Sequence, residues 1–107
     1  MFTLNRDVSA VPAGDGVQRK VLSHSESLMV CEITLEQGSV IAAHAHPHEQ
    51  ITYIISGKCH YTVGEETKEV GAGDSVLIPG NVSHSIVILE TMKVIDVFTP
   101  AREDFLN

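Results

Sequence analysis

Long hydrophobic runs, basic clusters and closely spaced cysteines are all missing from this 107-residue sequence. No apolar stretch approaches the roughly 18 residues of a membrane-spanning helix, so we expect no membrane partner. The first residues lack the apolar core of a secretion signal, and Cys31 and Cys59 lack the spacing of a metal or redox pair. We therefore interpret both cysteines as buried free thiols and expect a cytoplasmic protein.

Positive charge is scarce as well, because 7 basic residues stand against 14 acidic ones and give a net charge of −7. The basic residues are scattered along the chain, which argues against a nucleic-acid partner. Hydrophobic residues make up 43% of the chain, as in globular proteins, and the length predicts a single domain over residues 1–107. An anionic substrate would need local attraction against this field, which a bound metal ion can supply.

Turn-forming residues recur at short intervals and separate short segments rich in valine, isoleucine, threonine and tyrosine. Such a pattern is typical of an all-β sandwich or barrel. The predicted strands span residues 28–36, 40–46, 50–56, 58–63, 66–70, 74–78, 84–89 and 92–98. The one predicted helix is C-terminal, with Thr99 as N-cap, Pro100 in the first helical position and residues 101–106 completing it.

Three of the six histidines, His44, His46 and His48, fall within five residues of one another. Residues two apart in a strand point to the same face, so His44 and His46 would present two imidazoles to one metal ion. Gln50 begins the next predicted strand, and its amide oxygen could reach the same centre. A fourth ligand has to come from far along the chain, and His84 is the candidate. The role of His48 stays open between the pocket and its rim.

These residues fall into the frame of two conserved motifs, and the sequence resembles the cupin superfamily. The first motif joins Gly38, His44, His46, Gln50 and Gly57, with five, one, three and six residues between successive members. The resemblance implies an all-β cupin barrel, also called a double-stranded β-helix or jelly roll, which the predicted short C-terminal helix would follow.

The second cupin motif joins Gly73, Pro79 and His84, with five and four residues between them. Two positions depart from the family: Gln50 stands where glutamate is usual, and Ile88 where asparagine is usual. The resemblance implies a divalent transition metal held by His44, His46, Gln50 and His84. Because these ligands are neutral, the ion keeps its full charge and attracts anions strongly. The nitrogen and oxygen donors suit Ni, Zn, Fe, Mn or Co alike.

The last predicted strand carries an aspartate, Asp96, in otherwise apolar surroundings, where a charge is costly without a partner or a task. It is either a rim or ion-paired residue, with Arg102 or Lys93 as partner, or an inward-facing general acid/base. Arg102 is either half of a surface ion pair or a clamp for a substrate carboxylate.

The tail from Asp96 to Leu106 and the run from His44 to Gln50 resemble one cupin group, the pectin-degradation cupins or unsaturated pyranuronate lyases. This resemblance implies that Asp96, Phe98 and Arg102 line the pocket as catalytic residues. It also implies an anionic sugar substrate, a 4,5-unsaturated uronate from pectin or alginate, which is opened to its linear keto form. Cupin likeness further implies a homodimer.

Three other functions are compatible with the sequence. A dioxygenase of the quercetinase type would use the same barrel, although such enzymes more often carry the glutamate ligand that Gln50 replaces. A sugar-acid-binding cupin without catalysis would bind the same ligand and release it unchanged. A metal-binding barrel with a storage or structural role would need neither Asp96 nor Arg102.

Overall fold

Two long, bent strands organise the structure, a computed structural model that describes residues 1–106. All strand pairs are antiparallel, and the strands belong to one sheet. In chain order they are β1 (Val11–Pro12), β2 (Val17–His24), β3 (Met29–Leu35), β4 (Val40–His44), β5 (Glu49–Val63), β6 (Glu66–Gly71), β7 (Ser75–Ile78) and β8 (His84–Thr99). The predicted all-β architecture is therefore confirmed.

Strands β5 and β8 pair with each other along their length and with different neighbours at their two ends. The first half of β5 contacts β7 and its second half contacts β6, while the first half of β8 contacts β4 and its second half contacts β3. The sheet can therefore fold over onto itself and enclose a core between its halves. Along β3, the alternating residues Met29, Cys31, Ile33 and Leu35 are buried in that core.

The strand prediction is wrong in two respects: it divides two long strands, and it omits the first two strands of the chain. The segments 50–56 and 58–63 form one strand, β5, and the segments 84–89 and 92–98 form one strand, β8. The sequence around Gly57 predicts a turn, but in the structure this glycine lies inside β5, where the pairing register with β8 shifts. Its φ of 82° and its close approach to the backbone of Thr91 suit glycine alone. Strands β1 and β2 were not predicted, because the polar run Gln18-Arg19-Lys20 hides the alternation.

The predicted C-terminal helix is wrong, since the tail of the described chain forms a single 3₁₀ turn at Glu103–Phe105. Thr99 is the last residue of β8 and caps no helix. The N–H of the buried Ala101 donates to the carbonyl of Glu26, 3.1 Å away, which ties the chain to a loop. The few residues that remain cannot offset the cost of starting an α-helix.

The two cysteines are free and buried, as predicted. Burial raises the pKa of the Cys31 thiol to about 12 and that of Cys59 to about 11, so both stay protonated at neutral pH. Among residues 1–106, no helix is long and apolar enough to cross a membrane.

Candidate metal centre

Three histidines converge at one end of the fold, although one of them is distant in sequence. His44 ends β4 and His84 begins β8, and antiparallel pairing sets these two residues opposite each other. His46 lies two residues beyond β4. One nitrogen from each ring lies within 4.8 Å of the other two, a spacing that a single metal ion can bridge. His44 is exposed, whereas His46 and His84 are buried, so the cluster lies at the mouth of the fold.

The protonation of the three rings follows from their backbone contacts. The Nδ1 atoms of His44, His46 and His84 lie 2.9, 3.0 and 3.0 Å from backbone carbonyl oxygens. A carbonyl oxygen can only accept a hydrogen bond, so each neutral ring carries its proton on Nδ1. The lone pair is then on Nε2, which is free to bind a metal ion.

Burial also favours the neutral form of two of these rings. It is the largest cause that lowers the pKa of His46, and the Arg102 charge adds to it. Burial likewise lowers the pKa of His84, with His44 and His46 adding smaller effects. A neutral imidazole is the form that binds a metal ion, since a protonated ring has no free lone pair.

Gln50, at the start of β5, faces the histidine cluster, and its hydrogen bonds decide which of its amide atoms points to His46. Thr52 Oγ1 lies 2.6 Å from Asp96 Oδ1 and donates its only proton to that oxygen when the carboxyl is ionised. Thr52 must then accept from the Gln50 amide nitrogen, 3.1 Å away. The amide oxygen of Gln50 is thereby turned to His46 Nε2, at 3.0 Å.

These two facing atoms are both acceptors, because His46 carries its proton on Nδ1. Two acceptors at 3.0 Å repel each other unless a positive charge lies between or beside them. A divalent cation satisfies both, and the donor set of three imidazoles and one amide oxygen is one that Ni, Zn, Fe, Mn and Co accept. The residues present thus fit a metal ion held by His44, His46, Gln50 and His84.

Asp96 lies on β8 between Cys31 on β3 and Thr52 on β5. Burial raises the pKa of its carboxyl to about 6, although hydrogen bonds from Thr52 and Gln50 and the charge of Arg102 act in the opposite direction. The group can therefore exchange a proton near neutral pH, as a general acid/base must. Arg102 forms its ion pair with Asp104 instead, so Asp96 is free of that partner.

Phe98 and Arg102 lie where the chain leaves β8. The Phe98 ring is 3% exposed, and its centre lies 5.9 Å from that of His46. The Arg102 guanidinium carbon lies 4.2 Å from the centre of the Phe105 ring and 5.2 Å from that of Phe98. Its Nε and Nη2 donate to Asp104 at 3.1 and 2.9 Å, a pairing that was not predicted from the sequence.

One cavity of about 130 Å³ joins these groups, since His44, Gln50, His84, Asp96, Phe98 and Arg102 all line it. The cavity is also lined by Arg19, Thr52, Tyr61 and Phe105, none of which was predicted as a site residue. Thr52 could have been detected from the alternation of residues along β5, in which Gln50, Thr52 and Ile54 are buried. His48 lies beside His46, at 5.6 Å between ring centres, and its backbone carbonyl accepts from His46.

Comparisons with known proteins agree with this geometry. The sequence model of the family described as "Cupin domain" matches residues 31–98. The chain is 35% identical over 95 residues to "Pectin degradation protein KdgF" of Dickeya dadantii (strain 3937), covering 87% of this chain and 86% of that protein.

Two solved structures are similar over nearly the whole chain. The structure of KdgF from Halomonas sp. superposes with a TM-score of 0.93 at 31% identity, covering 98% of this chain and 97% of that one. An RmlC-like cupin from Shewanella frigidimarina NCIMB 400 superposes with a TM-score of 0.93 at 35% identity, covering 97% and 94%. The match therefore extends beyond the motifs to the strands at both ends of the chain.

Proposed function

The chain belongs to the cupin family, and we propose that it is a metal-dependent enzyme that opens 4,5-unsaturated uronates to their linear keto forms. The observation that carries the proposal is a chain of polar contacts: Asp96 is hydrogen-bonded to Thr52, Thr52 is hydrogen-bonded to Gln50, and the Gln50 amide oxygen faces His46 in the histidine cluster. It joins a candidate acid/base to a candidate metal centre in one cavity. The name of the Dickeya dadantii relative supports a substrate from pectin.

The proposed reaction moves one proton and breaks one bond. The anomeric hydroxyl loses its proton, and the bond between the anomeric carbon and the ring oxygen breaks to leave an aldehyde. The enolate released at C5 then takes up a proton at C4 and becomes a ketone. Asp96 can accept the first proton and deliver it to C4, because a pKa of about 6 makes both transfers accessible near neutral pH.

The other residues bind and orient the sugar. A divalent ion on the three histidines and Gln50 would supply Lewis acidity toward the oxygen on which negative charge develops. Phe98 offers an apolar surface for one face of the sugar and excludes water there. Arg102 retains one guanidinium nitrogen, Nη1, that Asp104 does not bind, and it can donate to a substrate oxygen.

The test is turnover of unsaturated uronates, followed as the loss of their ultraviolet absorbance. We expect activity in the metal-loaded protein, loss of activity with a chelator, and recovery when one of Ni, Zn, Fe, Mn or Co is returned. Oxygen consumption would instead indicate a dioxygenase of the quercetinase type. Stabilisation by the sugar without any product would indicate a binding protein.

Replacing Asp96 tests the assignment of the acid/base. We expect Asp96→Asn to lower kcat by at least about 100-fold, because general acid–base catalysis contributes roughly that much or more. The metal content, measured on the same sample, should not change. Asp15→Asn, at an exposed turn, is the matched control and should keep full activity. Normal turnover by Asp96→Asn would refute the mechanism.

A further inference from the structure

Arg19 is a charged residue on the inner face of strand β2. It shares that face with Val17, which is buried, and Val21, which is half-buried. It lines the same cavity as His44, Gln50 and Asp96. Arginine on an inner face is costly to a fold unless a partner or a ligand compensates its charge.

Arg19 forms no ion pair with an acidic side chain within residues 1–106. The three ion pairs found there involve Lys58, His60 and Arg102. The Nε of Arg19 is buried without a hydrogen-bond partner. Arg102, the other arginine of the cavity, differs because Asp104 already occupies two of its nitrogens.

An aromatic ring holds the Arg19 guanidinium in place. Its carbon lies 3.7 Å from the centre of the Phe105 ring, and that of Arg102 lies 4.2 Å from the same centre. Stacking on an aromatic face leaves the guanidinium edge, with its N–H donors, available for a planar anion. The 3₁₀ turn at Glu103–Phe105 thus brings Phe105 into contact with β2.

We propose that Arg19 binds the carboxylate of the sugar acid that enters this cavity and so selects uronates over neutral sugars. The identity of the sugar rests on the proposed function. A guanidinium binds a carboxylate through two parallel hydrogen bonds, which gives both affinity and orientation. A carboxylate bound to Arg19 need not lie directly beside the negative charge of Asp96. Across β3, Arg19 pairs with Ile33 whereas Asp96 pairs with Cys31, so the two side chains are offset by two residues along the inner face of the sheet.

A cationic site in the cavity would also offset the repulsion between an anionic sugar and a chain with a net charge of −7. An anionic sugar approaching this chain meets an unfavourable average field. A guanidinium without an acidic partner at the cavity provides local attraction, and the low-dielectric walls around it strengthen that attraction.

The test measures binding of D-galacturonate and of its neutral methyl ester by calorimetry, using Zn²⁺-loaded protein. Arg19→Met removes the guanidinium and keeps an unbranched apolar stem against Phe105. We expect it to weaken binding of the acid by roughly tenfold or more, since hydrogen bonds to charged groups are worth that much, and to leave the ester unaffected. The zinc content should equal that of the unsubstituted protein.

Lys20→Met is the matched control, because it removes a charge from the next position of the same strand. Lys20 lies on the opposite face and donates to Asn5, at 2.8 Å from its Oδ1. Arg19→Lys keeps the charge but loses the planar fork, so it should weaken binding of the acid by several-fold. If Arg19→Met does not fold, the same binding measurements on Arg19→Lys test the proposal.

Three results would overturn the proposal. They are equal binding of the acid by Arg19→Met and Lys20→Met, an equal loss for acid and ester, and no binding of the acid by the unsubstituted protein. The turnover assay separates this proposal from the proposed function. Selective binding through Arg19 without turnover of unsaturated uronates would refute only the function. Turnover with an unchanged KM in Arg19→Met would refute only the Arg19 site.

Discussion

Among single residues, Asp96 couples the proposed chemistry to the stability of the fold. Burial raises the pKa of its carboxyl to about 6, from an ordinary value of 3.8. Between these two pH values the folded chain holds a proton that the unfolded chain releases. The stability that this proton provides is complete below the interval and is lost as the pH rises through about 6. At neutral pH the folded protein therefore carries a destabilising carboxylate.

Replacing that carboxylate should stabilise the metal-free protein while removing activity. We expect Asp96→Asn to raise the free energy of unfolding by up to about 3 kcal/mol at about pH 8, since each pKa unit corresponds to about 1.4 kcal/mol. The gain should shrink toward zero as the pH falls to about 4. Urea unfolding across this range measures it, with Asp15→Asn as the control. A gain that is independent of pH would contradict the argument.

Some site residues could be predicted from the sequence, and the reason is local geometry. His44 and His46 were predicted from the two-residue period of a strand, although β4 ends at His44 and His46 lies two residues beyond it. His84 was predicted from its position just after the turn at residues 79–81. Alternation along β5 marks Thr52 as buried but not as a site residue, and Arg19 carries no signal of its own. Thr52 reaches Asp96 only because β5 and β8 pair in one particular register, and Arg19 reaches Phe105 only because the tail folds back.

At the scale of elements, Gly57 allows β5 to pass continuously from one half of the sheet to the other. A side chain there would contact the backbone of Glu90 and Thr91 on β8, and the φ of 82° already disfavours other residues. Gly38 has a similar φ of 85° but open space around its Cα. The two glycines therefore share the conformational requirement and differ only in the steric one.

This difference gives a paired prediction. We expect Gly38→Ala to lower the free energy of unfolding by about 1–2 kcal/mol, the cost of a left-handed residue. Gly57→Ala should lose at least about 2 kcal/mol more, because the backbone of β8 must move or strain. Urea unfolding of both variants measures the comparison. Equal losses of stability would show that only the positive φ at Gly57 requires glycine, and that its close approach to the backbone of β8 does not.

Elements were predictable where the alternation of residues is regular and unpredictable where it is interrupted. Strand β3 alternates throughout and was found within two residues of its bounds. Strand β5 was divided at Gly57, because a glycine between apolar segments is also the signature of a turn. The C-terminal helix was predicted from Thr99 and Pro100, which fit a helix start, but tertiary contacts of Ala101 outweighed that preference.

At the scale of the whole molecule, the outer face of the sheet carries exposed apolar side chains. Ile51, Tyr53 and Ile55 of β5 are 46%, 48% and 44% exposed. Leu77 of β7, 56% exposed, pairs with Ile51 in register. None of these residues is charged, although the chain has a net charge of −7 that opposes association elsewhere on its surface. We therefore expect this face to meet the same face of a second copy, since a twofold interface needs only one self-complementary patch.

A charge placed in this face should separate the two copies. We expect a homodimer by light scattering coupled to size exclusion, and a monomer for Ile51→Asp, because the aspartate would be buried without a partner. Val40→Asp is the matched control, since Val40 is 61% exposed but lies on β4. It should stay dimeric. A monomeric unsubstituted chain would refute the expectation outright, and identical behaviour of the two variants would place the interface on another surface.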